Sequence, residues 1–219
     1  MSRKKLVRFK QNEENPNVVQ DGKPIFETIK GNWNTQQFQN EHPIVVELAC
    51  GRGEFTVGLA RQFSDQNFIG VDIKGSRIWK GSSTATAEGI HNVAFLRTQI
   101  ELLDRFFAED EIAELWITFP DPFPRDGDEK RRLTSPRFLE MYKPLLKSEG
   151  ILHFKTDNTD LFNYSLELFQ SRTDIEVLGF THDFYQSEWK DDHFGIQTRY
   201  EKMFSEKGEK IKYLKCRFI

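Results

Sequence analysis

From Ile44 onward, short apolar runs rich in β-branched and aromatic residues alternate with stretches whose apolar positions return every three or four residues. The first pattern suits a buried strand and the second an amphipathic helix, so their alternation predicts a parallel sheet with helices on both faces. Strands are expected over residues 44–48, 68–72, 93–96, 115–118, 151–155, about 176–180, and 211–218. Helices are expected over 55–62, 77–88, 101–108, 136–146 and 160–170. The start at Pro136 is well marked, because Ser135 offers an N-cap and proline at the first helical position loses no needed hydrogen bond. Residues 1–40 are polar, with Asn-Pro at 15–16 and no sustained apolar period, and read as an arm that lies on the domain or stays mobile. Residues 41–219 read as one α/β domain with a mostly parallel sheet of about seven strands.

Charge changes this picture in one respect. The chain of 219 residues carries a net charge of −3, so any attraction to a polyanion has to come from a local basic patch. The basic start, with Arg3, Lys4, Lys5, Arg8 and Lys10, could touch phosphates; no apolar run follows it as in a signal peptide. No segment approaches the ~20 apolar residues of a membrane span. Cys50 and Cys216 have neither zinc-ligand nor disulfide spacing, so a reduced, cytoplasmic protein without a metal is expected.

The segment Val46-Glu47-Leu48-Ala49-Cys50-Gly51-Arg52-Gly53-Glu54-Phe55 places a glycine-rich turn between a buried strand and a helix. Open α/β sheets bind ligands there, at the carboxyl ends of the strands. Gly51 and Gly53 allow close backbone approach, but Thr56 stands where a dinucleotide fingerprint needs its third glycine, which disfavours pyrophosphate. Glu47 before the turn and Asp72 at the end of the next strand suit a ligand with an ammonium, a sulfonium and a ribose diol, namely S-adenosylmethionine. Taken singly, Glu47 could serve a helix-turn hydrogen bond and Asp72 an N-cap.

Beyond the fourth strand, Phe119-Pro120-Asp121-Pro122-Phe123-Pro124-Arg125 holds Asp121 between prolines, which limit the freedom of the loop. Asp126-Gly127-Asp128-Glu129 then runs into Lys130, Arg131 and Arg132, cations able to clamp a phosphate backbone. Phe154-Lys155-Thr156-Asp157-Asn158 ends the fifth strand, where Asp157 could cap a helix or accept from a base edge. Thr198-Arg199-Tyr200-Glu201 groups a hydroxyl, a cation, an aromatic ring and a carboxylate.

Together these motifs resemble the bacterial tRNA (guanine-N7)-methyltransferase family, from Gly31-Asn32-Trp33-Asn34 nearly to the C-terminus. The resemblance rests on the Phe119–Arg125 motif with Lys130-Arg131-Arg132-Leu133, on Phe154–Asn158 with Leu161-Phe162, and on Thr198–Glu201 with Phe204 and Gly208. It implies a Rossmann-like class I methyltransferase fold, S-adenosylmethionine as cofactor and tRNA as partner, with methylation of the guanine at position 46, by a monomer or a homodimer. It further implies that Glu47, Gly51, Gly53, Asp72, Gln99 and Asp121 line the cofactor pocket, with Asp121 the catalytic position. Arg125, Asp157, Thr198, Arg199, Tyr200 and Glu201 would meet the substrate, and Gly127, Lys130, Arg131 and Arg132 the RNA. This chain departs from the family pattern at Ala49 (usually glycine), Phe123 (tryptophan), Arg125 (lysine) and Gln99 (an acid), and Asp126–Glu129 replaces a more basic segment. Two rivals stay open: a methyltransferase of small molecules or proteins, which would not need the Lys130–Arg132 cations, and a catalytically silent RNA-binding subunit of the same fold.

Overall fold

The computed structural model describes residues 3–219, with side chains from Lys5 onward; the side chains of Arg3 and Lys4 lie outside the described residues. The chain runs α1 (Arg3–Glu14), β1 (Val18–Gln20), α2 (Pro24–Thr28), β2 (Ile44–Leu48), α3 (Glu54–Gln62), β3 (Asn67–Val71), α4 (Gly75–Glu88), β4 (Val93–Arg97) and β5 (Ile112–Thr118). It continues through α5 (Pro136–Leu145), β6 (Leu146–Thr156), α6 (Thr159–Ser171), β7 (Ile175–Thr181), α7 (Arg199–Glu206) and β8 (Lys212–Phe218). One sheet in the order β1-β4-β3-β2-β5-β6-β8-β7 joins all strands. It is parallel except for β8, which runs antiparallel between β6 and β7. The chain lays down β2, β3 and β4 in one direction and then returns to β5 and β6 on the other side of β2. The order therefore reverses between β2 and β5, and a crevice opens at their carboxyl ends.

Side chains alternating along these strands feed two cores, as period-2 geometry requires. Val46, Ile69, Leu115, Ile117 and Phe154 pack with α5 and α6 through Phe138, Leu139, Tyr142, Phe162 and Phe169. Val45, Phe68, Phe95 and Trp116 pack with α3 and α4 through Phe55, Val57, Leu59 and Ile78. All five residues of β2 are buried, which accounts for its unbroken apolar run around the single carboxylate Glu47.

Three expectations need correction. Among the described residues the sheet has eight strands, because within the segment set apart as an arm Val18–Gln20 pair in parallel with Phe95–Arg97 as an edge strand. That segment also carries α1, α2 and a π-helical turn at Trp33–Phe38, fixed where Trp33 Nε1 donates to the Phe106 carbonyl at 2.8 Å. The helix expected over 101–108 is a 3-10 segment, Ile100–Arg105, kinked at Leu102; Phe106 and Phe107 leave it to enter the core beside Phe26 and Trp33. Ser135 occupies the N-cap of α5, but its buried hydroxyl makes no cap hydrogen bond.

Candidate active site

A cavity of about 980 Å³ opens at the carboxyl ends of β2, β3 and β5, where the strand order reverses. Of the residues singled out in the sequence, Glu47, Gly51, Asp72, Gln99, Asp121, Arg131, Asp157, Thr198, Arg199 and Tyr200 line it. Gly53, Arg125, Gly127, Lys130, Arg132 and Glu201 do not.

On one side the two acids also organise the turn. Glu47, 3% exposed, accepts from the Thr118 hydroxyl at 2.6 Å, from the Thr56 amide at 2.9 Å and from the Thr56 hydroxyl. Burial pushes its carboxyl up to about 7, against these hydrogen bonds, which favour the ionised form. Asp72 accepts from Gly51 N at 3.0 Å through one oxygen and from Lys74 N at 2.7 Å through the other. Burial raises its pKa also, with both backbone donors opposing. Each Asp72 oxygen uses one lone pair on the backbone, so a bidentate acceptor for a diol remains. Gly53 sets the entry of α3 with φ +68 and leaves no space for a side chain, since a Cβ there would stand 2.5 Å from the Phe95 ring. Its role is packing. Ala49 holds φ +55, a left-handed conformation that costs any residue with a Cβ.

The opposite side is built differently. Asp121 is exposed to the cavity between Phe119 and Phe123, which both take positive φ, +49 and +43. The cations after the motif brace this loop. Arg132 Nε donates to the Phe123 carbonyl at 3.1 Å while its guanidinium lies over Tyr164, and Arg131 stacks on the Phe123 ring at 4.2 Å and pairs with Asp128 at 3.1 Å. Asn158, rather than Asp157, caps α6 by accepting from Leu161 N at 2.8 Å. Asp157 is thereby left facing the cavity, and partial burial raises its carboxyl pKa.

Thr198 caps α7, and Arg199 and Tyr200 point outward at the cavity mouth. Glu201, one turn position further, is 0% exposed and accepts from Lys155 Nζ at 2.7 Å and from the Tyr185 hydroxyl at 2.8 Å. Lys155 is itself 1% exposed, among the rings of Phe184, Phe55 and Phe119, and burial lowers its pKa against the pull of Glu201. Glu201 thus fixes α7 to the sheet and stands outside the cavity, unlike its three neighbours. Sequence reading gave no site role to Arg52, Lys74, Arg77 or Met203, all of which line the cavity, as do Phe204, quoted only as a motif residue, and Arg8 of α1, expected only to touch phosphates. The density of cations in the first ten residues was the one signal for Arg8.

A parallel sheet that reverses order over paired strand-end carboxylates and a glycine turn defines the class, a Rossmann-like methyltransferase. The family model described as "Putative methyltransferase" matches residues 41–214. The tRNA (guanine-N(7)-)-methyltransferase of Cytophaga hutchinsonii is 47% identical, with 100% of this chain and 99% of the relative covered. The enzyme of that name from Christiangramia forsetii is 48% identical, with 98% and 97% covered. The chain belongs to the tRNA (guanine-N(7)-)-methyltransferase family. Among solved structures, the 16S rRNA methyltransferase KamB superposes with a TM-score of 0.64 at 15% identity, over 84% of this chain and 91% of that one, which bears on the fold alone.

Proposed function

We propose that this protein transfers a methyl group from S-adenosylmethionine to N7 of a guanine in tRNA, at position 46. The observation that carries the reading is one cavity with two unlike acidic walls: Glu47 and Asp72 buried at strand ends, and Asp121 and Asp157 facing inward from the loops opposite. The first wall suits the ammonium and the ribose hydroxyls of the cofactor, with Gln99 placed to meet the adenine amine through its side-chain carbonyl. The residues present therefore fit the cofactor. When bound, it supplies an electrophilic methyl group on a sulfonium.

Guanine N7 bears a lone pair and no proton, so its attack on that methyl needs no general base. What remains for the protein is orientation and exclusion of water, and orientation of this kind contributes at most ~7–11 kcal/mol. Asp121 accepts from the N1–H and N2–H2 edge of the guanine and turns N7 toward the cofactor. Adenine offers no such pair of donors. The test is methyl transfer from the radiolabelled cofactor to unmodified tRNA, followed by nucleoside analysis. Label in 7-methylguanosine, lost when the guanine at position 46 is replaced, is the expected result; label in another nucleoside would overturn the assignment.

A further inference from the structure

The cations expected to clamp RNA are largely engaged within their own loop, Arg132 with Phe123 and Tyr164 and Arg131 with Asp128 and Phe123. Elsewhere, cations with no salt bridge among the described residues fall in a row. Lys74 at the N-cap of α4 is followed at three-residue spacing by Arg77 and Lys80 in the first turns of the helix. Lys74 and Arg77 line the cavity described above, whereas Lys80 lines a second, open groove of about 900 Å³ between α3, α4 and α7. Arg52, Glu54, Arg199 and Met203 border both, so the groove continues the cavity outward.

Arg52, Lys80, Arg199 and Lys202 stand on the groove walls against the carboxylates Glu54 and Glu206. Glu54 already accepts the Arg199 amide at 2.7 Å, and the remaining wall cation, Arg61, is tied to Glu88 at 2.7 Å. None of the four named cations has a carboxylate within ion-pair distance among the described residues. In a chain of net charge −3, such a concentration of unpaired cations marks a surface for a polyanion. A small anion would need donors converging on one point, whereas these cations are spread along an open channel.

We propose that this groove carries the RNA backbone onward from the target guanine, with Lys80 of α4 and Lys202 of α7 contacting phosphates. The proposal rests on the reading of the protein as a tRNA methyltransferase. Both lysines are exposed and lie outside the cavity, so Lys80→Ala/Lys202→Ala leaves the fold and the cofactor site intact. Binding of an unmodified tRNA transcript is measured across a salt series, together with kcat and KM for tRNA and the Kd for S-adenosylmethionine. The expected result is a slope of log affinity against log salt shallower by about 2, roughly one per lysine, with KM raised and cofactor affinity unchanged. An unchanged slope in a protein whose wild type binds and methylates tRNA overturns the groove alone, and so does a loss confined to cofactor affinity. A wild type that neither binds nor methylates tRNA overturns the functional reading first, before any variant is made.

Discussion

The turn after β2 and the loop after β5 meet in one cavity, yet they hold their carboxylates in opposite ways. Glu47 and Asp72 are buried, and every oxygen they carry is engaged by an amide or hydroxyl of the chain. Asp121 sits exposed on a loop whose stiffness comes from prolines, two strained phenylalanines and stacked arginines. Removing an acid from the first wall therefore disturbs the turn as well as the ligand, whereas removing one from the second touches the ligand alone. A buried carboxylate can hold a cofactor of constant shape. The exposed one is suited to a base that arrives and leaves in each catalytic cycle.

The largest effect is expected where the wall proposed to meet the substrate is anchored. Lys155→Met leaves the Glu201 carboxylate buried without its cation, and breaking a buried pair in this way costs about 3–5 kcal/mol. Thermal unfolding checks it. Adding Glu201→Gln to Lys155→Met should recover a large part of the loss, since no uncompensated charge then remains. Failure of the second change to help would mean that packing around the lysine stem, not charge, fixes α7.

Next comes Asp121→Asn, expected to retain the fold and cofactor affinity while cutting turnover by about 10²-fold, comparable to loss of one oriented group in a preorganised site. The amide offers one acceptor oxygen where the carboxylate offers two, and its NH2 group would face one of the two donors. Inosine in place of the target guanine keeps N1–H but lacks the N2 amine. It should react more slowly with wild type and lose much of that penalty in the variant. Equal penalties would pass the orienting role to Asp157.

On the wall proposed to hold the cofactor, Asp72→Ala should weaken S-adenosylmethionine at least about tenfold, as charge-assisted hydrogen bonds contribute roughly 1.5–3 kcal/mol each. Glu47 adds a pH dependence. Its carboxyl is raised to about 7, so the free protein holds it protonated at lower pH, and the stability this confers is lost as pH rises through that value. Thr56 and Thr118 donate to it, Glu54 raises it further, and the Lys155 ammonium lies close enough to feel its charge. A bound ammonium favours the ionised form, so binding should release a proton and weaken as pH falls below about 7. Calorimetry in buffers of different ionisation enthalpy measures that proton, which should vanish in Glu47→Gln.

The two walls also differed in how far the sequence exposed them. The β2–α3 turn was readable because its strand is buried on both faces and its glycines mark the break, all within ten residues. Glu201 was grouped with Thr198, Arg199 and Tyr200 by adjacency, but helical rotation sends it inward while they stay at the mouth. A lysine within the apolar run of β6 was the available sign that some acid must be buried opposite. Arg131 and Arg132 read as free cations because their partners, Phe123 and Tyr164, are brought beside them only by the fold. A three-residue strand such as β1 carries too little pattern to register, and without it α1 and Arg8 have no visible reason to reach the cavity.

The smallest effect tests backbone strain in the two regions. Ala49 and Phe123 both hold positive φ, at +55 and +43. Left-handed backbone costs a residue with a Cβ roughly 1–2 kcal/mol, while glycine loses about 0.4–1 kcal/mol more entropy on folding. Ala49→Gly, which removes only a methyl group from the turn, should therefore stabilise the protein by about 0.5–1 kcal/mol, or a few degrees in Tm. Phe123→Gly relieves the same strain but removes the ring on which Arg131 stacks, and should destabilise the loop instead. Opposite signs in thermal unfolding would show that strain at Ala49 is uncompensated, while at Phe123 it is outweighed by the stacking that fixes the loop around Asp121. If both variants are stabilised, the stacked arginine does not hold the loop, and the rigidity of the substrate wall rests on its prolines.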